Sequence, residues 1–110
     1  MLFGIPTEAV AKIRDVFAGH PEVEQVILYG SRAKGTFRNG SDVDLAVEGR
    51  GMNLTVLNRI DTELDELLLP WSFDLSVYSL IENQDLIDHI KRVGIVVYRQ
   101  NAEGSGEGSA

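Results

Sequence analysis

A glycine–serine pair and two closely spaced aspartates are the residues of this sequence best suited to chemistry. Gly30 and Ser31 are followed by ten residues and then by Asp42 and Asp44, which a single residue separates. Two carboxylates about 4 Å apart repel each other by roughly 1 kcal/mol in water, and by roughly 4 kcal/mol at an effective dielectric of about 20. We therefore expect basic side chains or a bound cation to neutralise this pair.

A cation and a phosphate group together would explain both halves of this arrangement. Mg²⁺ takes one or two carboxylates together with substrate phosphate oxygens and water. Gly30 has no side chain, so a phosphate could approach its backbone, and the Ser31 hydroxyl would add a donor. Either signal alone is weak, because most such pairs are solvated turns. Their conjunction favours a phosphate-binding site.

Two predicted strands would present these carboxylates. In SDVDLAV, Val43, Leu45 and Val47 share one face, and Asp42, Asp44 and Ala46 share the other. In SFDLSVYS, Asp74 and Ser76 lie opposite an apolar face in the same way. If the two strands are neighbours in the sheet, the three aspartates converge.

The remaining elements predict a small α/β (α+β) fold. Their order is helix, strand, short helix, strand, helix, strand, helix, strand, which indicates a small mixed β-sheet with helices on one face. The longest helix has an apolar stripe from Leu54 to Leu68 and is ended by Pro70. A helix near residues 83–93 contains His89, which we expect to be exposed to solvent opposite its apolar stripe.

Composition limits the classes of function. The 110 residues predict one domain, residues 1–98, and a Gly/Ser/Glu-rich tail, residues 99–110, that we expect to be disordered. A net charge of −7 argues against direct binding of nucleic acid or anionic membrane. The chain has no cysteine, which excludes disulfides and thiol nucleophiles. We see no signal peptide or transmembrane run, and we expect a cytoplasmic protein.

The spacing of the motif resembles that of a known superfamily. Gly30-Ser31, ten residues and Asp42-x-Asp44 resemble the GSx(10)DxD motif of the DNA polymerase β-type nucleotidyltransferases. The segment LYGSRAKGTFRNGSDVDLAV is similar to the small MNT-type branch, the minimal nucleotidyltransferases. This resemblance covers most of the chain, from Thr7 to about Tyr98. It implies the polymerase β-like nucleotidyltransferase fold.

The resemblance also implies an activity and a set of site residues. MNT proteins pair with HEPN-domain ribonuclease toxins, and the implied reaction is Mg²⁺-dependent transfer of AMP from ATP to a tyrosine hydroxyl of the toxin, for which the MNT protein is the antitoxin. The carboxylates would be catalytic and would hold the metal, two Mg²⁺ ions in all. The predicted catalytic and metal-binding residues are Asp42, Asp44 and Asp74, and the predicted nucleotide-binding residues are Gly30, Ser31, Arg32 and Lys34.

Two other functions fit the same residues. A binding module could neutralise the toxin by contact alone, without catalysis. A small-molecule nucleotidyltransferase would need an acceptor-binding domain, and the sequence shows none. The presence of all three carboxylates favours catalysis. Trp71 and Phe73 at the start of the third strand could stack on adenine, but core packing or a contact with a partner is the simpler role for them.

Overall fold

The computed structural model describes residues 2–100, which form four helices, four strands and one short 3-10 helix. The predicted order of elements is confirmed. The helices are α1 (Thr7–Ala18), α2 (Gly30–Lys34), α3 (Leu54–Glu66) and α4 (Gln84–Val93), and the 3-10 helix spans Tyr78–Leu80. The strands are β1 (Gln25–Tyr29), β2 (Val43–Glu48), β3 (Phe73–Val77) and β4 (Ile95–Arg99).

The strands form one mixed sheet in the order β3-β2-β1-β4. Strand β1 pairs antiparallel with β2 and with β4, whereas β2 and β3 run parallel. Strands β2 and β3 are therefore neighbours, which is the condition on which convergence of the aspartates depended. The register places Asp44 opposite Asp74.

The main core lies between the sheet and helices α1 and α3. The apolar residues of β2 that were predicted to share a face, Val43, Leu45 and Val47, are all buried in it. Phe17 of α1 and Ile60 of α3 pack against the same face and are also fully buried. Burial of these side chains fixes which face of β2 points away from the core, and hence the direction of Asp44.

The opposite face of the sheet is covered in part by α4. Ile90 of α4 packs with Tyr29 and Ala46, which alternate with the main-core residues along their strands. The predicted mixed sheet is confirmed, but its helices are not confined to one face. The apolar stripe of α4 buries only Ile90 completely, so the sequence pattern of this short helix did not indicate which face it covers.

The end of α3 differs from the predicted apolar stripe. The helix ends at Glu66, and Leu68 has a φ of +56° and is 89% exposed, so the prediction that the helical stripe continues to Leu68 is wrong. Pro70 limits how far the helix could extend, because a proline disfavours helical backbone in the residue before it, and the left-handed backbone of Leu68 ends the helix earlier still.

The ends of the chain bear on the predicted domain boundaries. Arg99 is the last residue of β4, so at least this residue of the predicted tail is ordered in the sheet. The rest of the predicted tail, from residue 101, lies outside the described residues. Within residues 2–100, no helix is long and apolar enough to cross a membrane.

Candidate active site

Two of the three predicted carboxylates lie side by side on the sheet. Asp44 and Asp74 are paired in register across the parallel strands β2 and β3, where neighbouring strands are about 4.8 Å apart. Both belong to the face opposite α1 and α3. Within residues 2–100 no strand lies beyond β3, so Asp74 is on the edge strand of the described sheet, and it is exposed to solvent.

Asp42 is placed differently from its two partners. It precedes β2 by one residue and is exposed. Within residues 2–100, no group of three or more His, Cys, Asp or Glu side chains is arranged to hold one metal ion. The three aspartates thus approach one another without forming a complete ligand set.

The surroundings of Asp44 shift the pKa of its carboxyl. Burial raises the pKa of its carboxyl, and the negative charges of Asp74 and then Asp42 raise it further. The one ion pair found in the described part of the chain joins His20 and Glu63, so no basic side chain is paired with these aspartates. This donor set fits Mg²⁺, since one or two uncompensated carboxylates with access to solvent are what that ion uses beside phosphate and water.

Gly30 lies directly against the Asp44 carboxylate. Its φ is +75°, and a Cβ atom built at this position would lie 2.2 Å from Asp44 Oδ2. Only glycine allows the backbone to turn here and also to contact the carboxylate. The neighbouring Ser31 is half-buried in the first turn of α2. The predicted Gly-Ser pair and the Asp44 carboxylate are therefore brought together.

Arg32 is buried beneath the connection between α2 and β2. Its guanidinium donates to the backbone carbonyls of Phe3 at 2.8 Å, Ser41 at 2.8 and 3.1 Å, and Asn39 at 3.4 Å. The side chain is only 2% exposed, and burial lowers the pKa of its guanidinium. These contacts support a role in holding the loop before Asp42. Nucleotide binding by Arg32 stays a prediction.

Lys34 and Trp71 have different surroundings. Lys34 is exposed in the last turn of α2, and its nucleotide-binding role stays a prediction. Trp71 packs against the main core, and the Arg32 guanidinium lies 6.0 Å from the centre of its ring. Trp71 therefore takes part in core packing, and its contact with adenine or with a partner stays a prediction.

Two residues beside the carboxylates were not predicted as site residues. Tyr29 pairs in register with Asp44. The pKa of its hydroxyl is raised, mainly by burial and further by the charges of Asp74 and Asp44, although a hydrogen bond with Ser76 lowers it. His89 of α4 accepts a hydrogen bond from the Gly30 N–H at 3.1 Å and is half-buried, so the prediction that it is solvated is wrong. Strand alternation could have placed Tyr29, but the contact of His89 depends on how α4 docks.

The family of this site is given by comparison with known proteins. Residues 11–103 match the family described as Polymerase beta, Nucleotidyltransferase. The chain belongs to this nucleotidyltransferase family. The matched residues include α2 and all four strands, so both paired aspartates lie inside the nucleotidyltransferase domain. No curated protein sequence matches the chain significantly.

Solved structures of toxin–antitoxin complexes have the same nucleotidyltransferase fold. A crystal structure of a toxin–antitoxin with AMP-PNP is 20% identical, with a TM-score of 0.68 over 86% of this chain and 76% of the other. The MntA–HepT toxin–antitoxin is 16% identical, with a TM-score of 0.63 over 91% and 77%. A tri-AMPylated Shewanella oneidensis HEPN toxin in complex with its MNT antitoxin is 16% identical, with a TM-score of 0.62 over 88% and 75%. At sequence identities of 16–20%, the structural similarity shows that these proteins share the fold of this chain.

Proposed function

We propose that this nucleotidyltransferase transfers AMP from ATP to a hydroxyl group, a tyrosine in our hypothesis, of a HEPN-type ribonuclease toxin, and that it acts as the antitoxin. The observation that carries the proposal is the pair Asp44–Asp74, two unneutralised carboxylates in register beside Gly30. Similar folds occur in a complex with AMP-PNP and in one with a tri-AMPylated HEPN toxin, which support the choice of nucleotide and partner.

In this proposal the acceptor hydroxyl oxygen attacks the α-phosphorus of ATP. A new oxygen–phosphorus bond forms, the bond from the α-phosphorus to the bridging oxygen breaks, and pyrophosphate leaves. Asp74 accepts the proton of the hydroxyl, since it is the exposed member of the pair. Asp42, Asp44 and Asp74 would hold two Mg²⁺ ions, which supply stabilisation of the attacking and leaving oxygens when bound.

The predicted phosphate contacts belong to the same proposal. Gly30 and Ser31 would contact the triphosphate, with Arg32 and Lys34 as further candidates for its negative charge. Arg32 would have to give up carbonyl contacts to reach the nucleotide, whereas the exposed Lys34 would not. We therefore favour Lys34 of the two.

A second function is favoured by one observation. Because the described residues contain no complete three-ligand cluster, the chain could also neutralise its toxin by contact alone. The two functions make opposite predictions about the carboxylates. Catalysis requires them, whereas a binding module does not.

The deciding experiment uses ATP labelled at the α-phosphate, Mg²⁺ and a candidate HEPN-domain partner. We expect label on the partner with the wild-type chain and none with Asp44→Asn or Asp74→Asn. Asp61→Asn, which removes an exposed aspartate on α3, is the matched control and should transfer label normally. Inhibition of the toxin without label would instead favour the binding module. If candidate small-molecule acceptors are added and only they carry label, a small-molecule nucleotidyltransferase would be favoured.

A further inference from the structure

His89 makes a specific polar contact with the turn that carries the Gly-Ser pair. Its Nε2 atom lies 3.1 Å from the backbone nitrogen of Gly30, 59 residues away in the sequence. Its ring also meets the ring of Tyr29 edge-on, with the centroids 6.1 Å apart. The imidazole therefore contacts two consecutive residues at the junction between β1 and α2.

The direction of the hydrogen bond defines the tautomer of His89. A backbone N–H can only donate, so Nε2 must offer a lone pair. The neutral ring then carries its proton on Nδ1. This is a property of one imidazole that can be measured directly, without substrate or partner.

The contact of His89 with Gly30 extends to Asp44. The Gly30 backbone, at a φ of +75°, lies so close to Asp44 Oδ2 that a Cβ atom would overlap it. A shift of this turn would therefore change the space available to the carboxylate. Asp44 makes no ion pair within residues 2–100, so no basic partner holds its carboxylate, which packs against the turn.

We propose that His89 is a positioning residue of the active site, which holds the Gly30 turn and, through it, the Asp44 carboxylate. The proposal rests on the proposed function of Asp44 as a metal ligand for nucleotidyl transfer. A side chain that only filled space at this position would need no acceptor atom. The acceptor is therefore the feature to test.

The test compares His89→Gln with His89→Leu. The amide oxygen of glutamine reaches about as far from the backbone as Nε2 and can accept the Gly30 N–H, whereas leucine keeps apolar bulk without an acceptor. His20 provides matched control variants, His20→Gln and His20→Leu, because its Nε2 contacts Glu63 of α3 and not the site. All variants are first checked for folding by circular dichroism.

The first readout is NMR of the chain without metal or nucleotide. We expect the wild-type His89 ring to carry its proton on Nδ1. We also expect the Gly30 amide and the Asp44 side-chain carboxyl resonances to move in His89→Leu and to stay near their wild-type positions in His89→Gln. A proton on Nε2, or equal shifts in both variants, would overturn the proposal.

The second readout is binding of Mn²⁺ alone as the probe of the carboxylates. We expect His89→Leu to weaken binding about five-fold, the size of one modest hydrogen bond, and His89→Gln to bind within about two-fold of the wild type. Equal weakening in both variants would contradict the proposal. If Asp44→Asn leaves Mn²⁺ binding unchanged, the metal site of the proposed function fails, and the NMR shifts still decide the role of His89.

Discussion

At the scale of single residues, Asp44 carries a charge that the fold disfavours. Burial and the charges of Asp74 and Asp42 raise the pKa of its carboxyl above the ordinary value. A raised folded-state pKa means that the folded chain binds the proton more tightly than the unfolded chain does. The contribution of this group to stability is therefore fully present at low pH and is lost as the pH rises through the raised pKa.

We expect Asp44→Asn to raise the melting temperature in metal-free buffer at neutral pH. A screened repulsion of roughly 0.5 kcal/mol corresponds to about 2–4 °C in a domain of this size. The gain should shrink as the pH falls through the raised pKa of Asp44, because the wild-type carboxyl then becomes neutral too. Differential scanning calorimetry across this range measures it, with Asp61→Asn as the control. A lower melting temperature at neutral pH would mean that the charge of Asp44 is stabilising.

Arg32 is the second residue whose role is defined by its surroundings. We expect Arg32→Lys to lower the free energy of unfolding by about 2 kcal/mol, because an ammonium cannot reproduce the fork of contacts to the carbonyls of Phe3 and Ser41. Urea denaturation measures the loss. Arg38→Lys, at an exposed arginine of the loop between α2 and β2, should change little. Equal stability of the two variants would argue against the loop-holding role.

At the scale of elements, the turn from β1 into α2 determines how the backbone meets the carboxylate. Gly30 and Gly35, at the two ends of α2, have φ values of +75° and +80°. A methyl group at Gly30 would overlap Asp44, whereas one at Gly35 would meet no atom within 4 Å. Alanine at Gly35 would therefore add backbone strain alone, whereas alanine at Gly30 would add strain and also displace the carboxylate.

We expect both Gly30→Ala and Gly35→Ala to lose about 1–2 kcal/mol of stability from backbone strain. Only Gly30→Ala should also weaken Mg²⁺ binding, because the new methyl group must push Asp44 Oδ2 aside. Thermal unfolding with and without Mg²⁺ measures both effects. Loss of Mg²⁺ stabilisation in both variants, or in neither, would contradict this assignment.

At the scale of the whole molecule, a chain with a net charge of −7 would have to bind a highly negative triphosphate. The general electrostatic field opposes this association, and a divalent cation at the carboxylates reverses the sign locally. The proposed function therefore requires nucleotide binding to depend strongly on the metal.

We expect Mg²⁺ and AMP-PNP together to stabilise the chain by about 2.7 kcal/mol at a ligand concentration about 100 times the Kd. AMP-PNP with EDTA should give a much smaller shift of the melting temperature. Asp74→Asn should abolish the shift of the melting temperature that Mg²⁺ and AMP-PNP cause together. Absence of a shift at saturating Mg²⁺ and AMP-PNP in the wild type would count against the site.

Much of the fold was predictable because it depends on local patterns. Strand alternation placed Asp44 and Asp74 opposite their apolar neighbours. Burial of Val43, Leu45 and Val47 confirms this for Asp44, and on β3 Val77 is buried while Asp74 is exposed. The end of α3 was less predictable. The apolar pattern continued to Leu68, but the helix ends at Glu66 and the backbone of Leu68 turns into the left-handed conformation.

The sequence by itself determined the order of the elements, the faces of the strands and the Gly-Ser and Asp-x-Asp spacing. Only the tertiary structure decided that β2 and β3 are neighbours, that Arg32 is buried under the loop, and that His89 contacts Gly30. The physical reason is the distance along the chain over which each effect acts. Periodicity and turn preferences act over a few residues, whereas strand order and the docking of α4 depend on which surfaces the whole chain can bury together.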